Sequence, residues 1–313
     1  MDYLSTLVLE LIKLCVPMLI GFVCIKTKYV KAEMADNIAP FIARILFPVM
    51  LFTIFATPTL TVDSILEHKW ILLVSVAWVV VSFFVGFGLA KLLKLSDKQA
   101  PVFMILSGMS NTTYMGIPIC VALFGDVFGR LGAALISLAG HIGMWTIGLV
   151  LMSVAERKKV RFSLKNMISP VTVAIALALI IKFCHIPIPD IIFTPLQTLG
   201  NTTPWIALIY LGMLIARADV VRAVKQKSLF VFLALKLILL PLALNLVLRP
   251  LPFLDEASKG LILAVYSTSC MISLTPYFRE RGLDADYAAQ LVFSSVTLSI
   301  VTMPLVFWIT SLY

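Results

Sequence analysis

The stretch Ser107-Gly-Met-Ser-Asn-Thr-Thr-Tyr-Met-Gly-Ile-Pro118 puts hydroxyls, a side-chain amide, two glycines and a proline inside an otherwise apolar run. Such groups can hold a carboxylate or another small anion by hydrogen bonds. Proline lacks an N–H and clashes with the preceding turn, glycine lowers helical preference, and Ser, Thr and Asn offer the backbone competing hydrogen bonds. The segment is therefore expected to unwind, and the ends of broken half-helices aim dipoles and amides at whatever lies beside them. A second polar stretch, Ser267-Thr-Ser-Cys-Met-Ile-Ser-Leu-Thr-Pro276, has the same character. The candidate substrate-binding residues are Ser110, Asn111, Thr112 and Thr113 in the first stretch and Ser269, Cys270 and Ser273 in the second. Gly116, Pro118 and Pro276 are the candidate helix-breaking positions. Small residues also serve plain helix packing, a reading that explains one such stretch better than a matched pair.

Ionisable groups within apolar runs are costly and often functional. His141 lies mid-run in Ala139-Gly-His-Ile-Gly-Met-Trp145, and histidine is the side-chain type that ordinarily titrates near physiological pH. It is a candidate for proton coupling, against the plainer reading of a hydrogen-bonded core histidine. Arg44 either lines an anion path or snorkels to the interface. Lys236, near the start of its run, is expected to snorkel. Glu10 and Lys13 stand three apart and could pair on one helix face. Trp205 and Tyr210 could wall an aromatic-friendly pocket, but packing in the core is the favoured expectation. The surplus of embedded cations over carboxylates favours an anionic substrate.

Behind these residues stands a chain of 313 residues, 61% hydrophobic and only 13% charged. That leaves too little polar surface to cover a soluble core, so soluble enzymes and nucleic-acid binders are excluded, and so is disorder. The apolar runs are continuous and about 20 residues long, as membrane-spanning helices require, not alternating as in a membrane barrel. The expected fold is an all-α membrane protein with ten spans: 4–25, 36–57, 70–92, 100–123, 130–154, 167–184, 193–215, 229–248, 258–278 and 287–312. The first run lacks a basic leader and is too long for a signal peptide. The five cysteines show neither CxxC nor zinc spacing and read as small apolar fillers, with no metal site.

Loops after odd-numbered spans hold Lys26, Lys28, Lys31, Lys91, Lys94, Lys98, Arg157, Lys158, Lys159, Arg161, Lys165, Arg217, Arg222, Lys225, Lys227, Arg279 and Arg281. Loops after even-numbered spans hold only Lys69, Arg130, Lys182, Arg249 and Lys259. The positive-inside rule makes the odd loops cytoplasmic and puts both termini outside the cytoplasm. It accounts for the net charge of +9 without nucleic acid. All loops are short and none carries a phosphate-binding GxxxxGK[ST], so transport by this chain would draw on a gradient, with coupling to H+ or Na+ left open and no cofactor. Five spans per half means that the second half enters the bilayer inverted, an architecture of many secondary transporters. The halves are residues 1–154 and 155–313, with the polar fourth and ninth spans in equivalent places.

Ser110-Asn-Thr-Thr-Tyr-Met-Gly-Ile-Pro-Ile119, followed by Leu123-Phe-Gly125, resembles the fourth-helix motif of the auxin efflux carrier family. Ala43-Arg-Ile-Leu-Phe-Pro-Val-Met-Leu-Phe52, Leu199-Gly-Asn-Thr-Thr-Pro-Trp-Ile-Ala-Leu208, Lys236-Leu-Ile-Leu-Leu-Pro241 and Tyr277-Phe-Arg-Glu-Arg-Gly-Leu-Asp284 resemble its second, seventh and eighth helices and the loop after its ninth. The resemblance covers nearly the whole chain in order. It implies an inverted five-plus-five repeat in which helices 4 and 9 break and cross. Helices 1, 2, 6 and 7 would form a scaffold domain, and helices 3–5 and 8–10 a transport domain. It implies a homodimer in the cell (inner or plasma) membrane that moves organic anions such as carboxylates or auxin-like acids. Asn111 matches the family's carboxylate-contacting asparagine. This chain departs from the pattern at Ser269 and Ser273, where many members carry proline and asparagine, and proline stands instead at Pro276. A transporter-like sensor or a channel for organic acids is the alternative. An enzyme is not expected, since neither GxSxG nor HExxH is present.

Overall fold

A computed structural model describes residues 3–57, 61–155, 170–217, 226–272 and 274–311. Ser273, the whole cationic loop 157–165, and Arg222 and Lys225 lie outside these residues. So does the Glu10 side chain, and with it the expected Glu10–Lys13 pair. The described residues are helical, with one isolated β-bridge. The helices are α1 (Tyr3–Lys26), α2 (Met34–Ala56), α3 (Val62–Glu67), α4 (Lys69–Leu92), α5 (Ala100–Gly108), α6 (Thr112–Phe124), α7 (Asp126–Val154), α8 (Pro170–Phe183), α9 (Asp190–Arg217), α10 (Lys227–Leu248), α11 (Glu256–Tyr266), α12 (Leu274–Glu280) and α13 (Ala285–Ser311). Six of them, α2, α4, α7, α9, α10 and α13, are long and apolar enough to cross a membrane. Shorter apolar helices accompany them. Large apolar side chains stay exposed along them, such as Leu73, Val81 and Phe84 on α4 and Val301 and Trp308 on α13. Lipid, not water, suits such a surface.

The local sequence explains a recurring irregularity. Three wide, π-type turns, Ile42–Leu46, Thr112–Gly116 and Leu235–Leu239, each end two residues before a proline: Pro48, Pro118 and Pro241. In each, the residue just before the proline donates its N–H five residues back: Phe47 to Ile42, Ile117 to Thr112 and Leu240 to Leu235. The proline ring would clash with the carbonyl four residues back. Widening the turn there relieves the clash and lets the helix run on. A fourth such turn, Met144–Gly148 in α7, has no proline after it.

The chain separates into two compact units. One comprises Met1–Lys13, Trp70–Arg161 and Arg217–Tyr313, and so holds α4–α7 and α10–α13. In it α5 is buried from Pro101 to Gly108 and packs against α13, the C-terminal part of α7 and the wide turn of α10. Gly125, with φ +85°, turns α6 into α7, and the two helices pack closely; a residue with a Cβ would be strained there.

The other unit comprises Leu14–Lys69 and Phe162–Ala216, and so holds most of α1 with α2, α3, α8 and α9. There α8 packs along Phe47–Ala56 of α2. The wide turn of α2 is met by α9, whose Thr203 hydroxyl donates to the Leu46 carbonyl at 3.1 Å. Helices α1 and α9 touch backbone to backbone. A Cβ on Gly21 would fall on the Ile209 carbonyl, and one on Gly212 on the Met18 carbonyl. Only glycine permits this approach, the usual device for close helix contact in lipid.

Candidate binding site at two crossed helix breaks

The first polar stretch unwinds at Met109–Asn111, between α5 and α6, and the second between α11 and α12. Inside the first unit the two breaks run antiparallel past each other, with Ser110 opposite Cys270. The Asn111 N–H donates to the Ser269 carbonyl at 2.8 Å, and the Met271 N–H donates to the Met109 carbonyl at 3.0 Å. Each break thus satisfies backbone groups that the other's unwinding freed, which is what permits non-helical backbone at this depth. Gly116, Pro118 and Pro276 do not unwind. Gly116 and Pro118 lie within α6 and Pro276 within α12, and the wide turn before Pro118 absorbs the strain of the proline.

Asn111 holds the crossing together. Its Oδ1 accepts from the Tyr114 N–H at 3.3 Å, capping α6, and its Nδ2 donates to Ser269 Oγ at 3.1 Å. It is buried, as are Ser110, Thr112, Thr113, Ser269 and Cys270. The Ser269 hydroxyl also points to Met115 Sδ at 3.3 Å. The hydroxyls of Ser267 and Thr268 bond back to the Leu263 and Val265 carbonyls and are spent within their own chain segment. Thr113 Oγ1 is buried with no hydrogen-bond partner.

Two groups outside the candidate set complete the arrangement. Lys236 does not snorkel: it is 1% exposed, and its Nζ donates to Ser110 Oγ at 2.7 Å. The wide turn of α10 ahead of Pro241 carries it. A lysine ammonium has three N–H donors and no acceptor, and among the described residues Lys236 forms no ion pair with a carboxylate. Ser295 of α13 lies behind Cys270, accepting from its N–H at 3.3 Å, with Sγ and Oγ 3.1 Å apart. Lysine within an apolar run was a signal for the first group. A serine within a long apolar helix gave none for the second.

His141 is buried on α7, its Nδ1 2.7 Å from the Ser137 carbonyl. It lines a small cavity beside the crossing, together with Ser110, Thr112, Thr113, Ser137 and Tyr266. Arg44 belongs to the other unit and is exposed there, within the wide turn of α2. In that unit Tyr210 is buried, but Trp205 is 49% exposed and does not pack in the core as expected. A large indole on a lipid-facing helix surface costs nothing, since lipid replaces the core as its apolar surroundings.

The arrangement can bind an anion. A buried ammonium, a side-chain amide and the capped start of a half-helix converge on one crossing, and no described carboxylate neutralises the ammonium. A family model described as membrane transport protein matches residues 6–308. No individual curated protein matches the chain.

Proposed function

Since the chain belongs to the auxin efflux carrier family of membrane transport proteins, and is thereby a multi-pass membrane transporter of a family that is not one of enzymes, we propose that it is a secondary carrier of small organic anions. The substrates are carboxylates or auxin-like acids. The observation that carries this reading is the Lys236 ammonium, buried at the crossing and hydrogen-bonded to Ser110 Oγ. A buried cation without a counter-charge is costly, and a bound carboxylate offsets that cost. Asn111, Ser110, Thr112 and Thr113 line the anion site from the first break, and Ser269 and Cys270 from the second. The serine at Ser269, where many members have proline, adds a hydroxyl that Asn111 already engages.

The ten-span inverted repeat and the scaffold-and-transport division belong to the same proposal. Their support is that the compact unit holding the crossing consists of α4–α7 and α10–α13, while most of α1 joins α2, α3, α8 and α9 in the other. Transport is of the elevator type: the unit with the crossing carries the anion between the two sides, and the other serves as scaffold. The protein acts in the cell membrane, with both termini outside the cytoplasm.

The test is charge movement in liposomes reconstituted with the purified protein, on rapid addition of malate, malonate, succinate or indole-3-acetate. A saturable signal for one anion, lost in Asn111→Ala while that variant remains folded, supports the reading. An Asn111→Ala variant that transports like the wild type removes Asn111 from the site. Ligand binding without any flux, by current or by isotope exchange, favours a sensor instead.

A further inference from the structure

The cavity beside the crossing is ≈ 10 Å³, enough for a single water molecule, and polar and apolar groups share its lining. Thr113 is 3% exposed, and its buried Oγ1 has no hydrogen-bond partner; buried hydroxyls of this kind are normally satisfied by ordered water. Ser110, Thr112 and Ser137 line the same space, and so does His141. The Ser137 carbonyl can only accept, so Nδ1 of His141 carries the ring hydrogen in the neutral side chain. Nε2 is then the nitrogen that takes up a proton. Ser110, which lines the same cavity, is the residue whose hydroxyl Lys236 engages at 2.7 Å.

We propose that His141 is the proton site of this carrier, joined through one water in the Thr113–Ser110 cavity to the anion site at Lys236, and that the protein moves its anion together with a proton. The inference rests on the anion-carrier reading. The titratable groups facing His141 follow from the elements packed around the cavity. From α11 there is the Tyr266 phenol, whose hydroxyl donates to the Ser75 carbonyl at 3.0 Å. From α10, one hydroxyl further on, there is the Lys236 ammonium. The cavity positions on α4, α5 and α6 (Val79, Gly108, Thr112, Thr113) and the break residues Met109, Ser110 and Met271 are not ionisable, and among the described residues no carboxylate lines the space.

With the anion absent, an imidazolium here would stand near a second buried cation with only neutral groups, the cavity water and the Ser110 hydroxyl, between them. With the anion bound at the crossing, its negative charge stabilises both. Proton and anion therefore favour each other's binding by the same factor, as linkage requires. The proton adds to the Nε2 lone pair and leaves from it when the anion departs, so no other reactant is consumed.

The experiment uses the wild-type protein and His141→Gln in liposomes, with the anion of the panel above that isotope counterflow selects, since a monocarboxylate moving with one proton carries no net charge. Isotope counterflow without a pH gradient reports the carrier itself. Accumulation driven by a gradient of one pH unit reports coupling. Wild-type protein is expected to accumulate the anion up to about tenfold on the more alkaline side, the limit for one proton per anion. His141→Gln is expected to lose this accumulation and the pH dependence of anion affinity, and any counterflow it retains shows that it is folded. Thr113→Val, which removes the cavity hydroxyl, is expected to weaken coupling in the same sense. Wild-type counterflow that ignores the pH gradient, or a His141→Gln variant that accumulates like the wild type, overturns the proton site and leaves the carrier reading standing. No counterflow with any anion of the panel overturns both.

Discussion

Replacing Lys236 by Met should push stability and binding in opposite directions. Methionine nearly preserves the length and volume of the side chain but removes the charge. Lys236 is 1% exposed and its single described partner is Ser110 Oγ, so its charge is uncompensated inside the protein. Exchanging a buried charged group for an apolar residue of similar volume is commonly neutral or stabilising by about 1–4 kcal/mol. Lys236→Met is therefore expected to unfold at the same temperature as the wild type or higher. Anion binding should suffer, because a hydrogen bond to a charged group contributes about 1.5–3 kcal/mol. That range corresponds to a roughly 10- to 150-fold weaker affinity. The assay pairs thermal unfolding of the purified protein with calorimetric titration of the transported anion. Wild-type affinity in Lys236→Met would refute the assignment of Lys236 to the anion site. A loss of several kcal/mol of stability would refute the account of an uncompensated charge and make the lysine a structural strut.

Two further outcomes follow from packing and topology. Gly212→Leu has no space, since even a Cβ would fall on the Met18 carbonyl; overpacking typically costs about 1–3 kcal/mol, and a backbone neighbour yields less than a side chain. Size-exclusion profiles should show little monodisperse Gly212→Leu protein, whereas Gly88→Ala, where nothing lies within 4 Å, should elute like the wild type. Cys184 is an exposed free thiol just after α8, and Cys270 is buried. In intact cells a variant keeping only Cys184 should react with a membrane-impermeant maleimide from outside, and one keeping only Cys270 should not. Labelling of Cys184 only after permeabilisation refutes the proposed orientation.

Much of the architecture was legible beforehand because its causes are local. An apolar run of about 20 residues is set by bilayer thickness, so the expected boundaries 70–92 and 229–248 lie within two residues of Lys69–Leu92 and Lys227–Leu248. The two interruptions were legible for a similar reason, since Ser, Thr, Asn and Gly compete with the helix from within their own segment. Where each helix unwinds was less legible. The prolines drew attention to Gly116, Pro118 and Pro276, but the crossing formed upstream, at Met109–Asn111 and around Cys270. A proline in a helix can be relieved by a widened turn, and three of them here are, at Pro48, Pro118 and Pro241.

The sequence by itself determined the all-helical membrane class, the positions of the apolar helices, the two polar interruptions and the family. Each depends on composition and spacing within a short window, or on motifs read in order along the chain. Only the tertiary structure decided which groups meet. Ser110 and Lys236 are 126 residues apart, and Asn111 and Ser269 are 158 apart. A lysine near the end of an apolar run reads as a snorkelling side chain until the rotation of its helix is known, and that rotation depends on packing against the other helices. The pairing of Cys270 with Ser295 and the small cavity shared by His141, Thr113 and Ser110 arise in the same way. Each requires several helices to be docked, and no single segment encodes the angle at which its neighbours present their side chains.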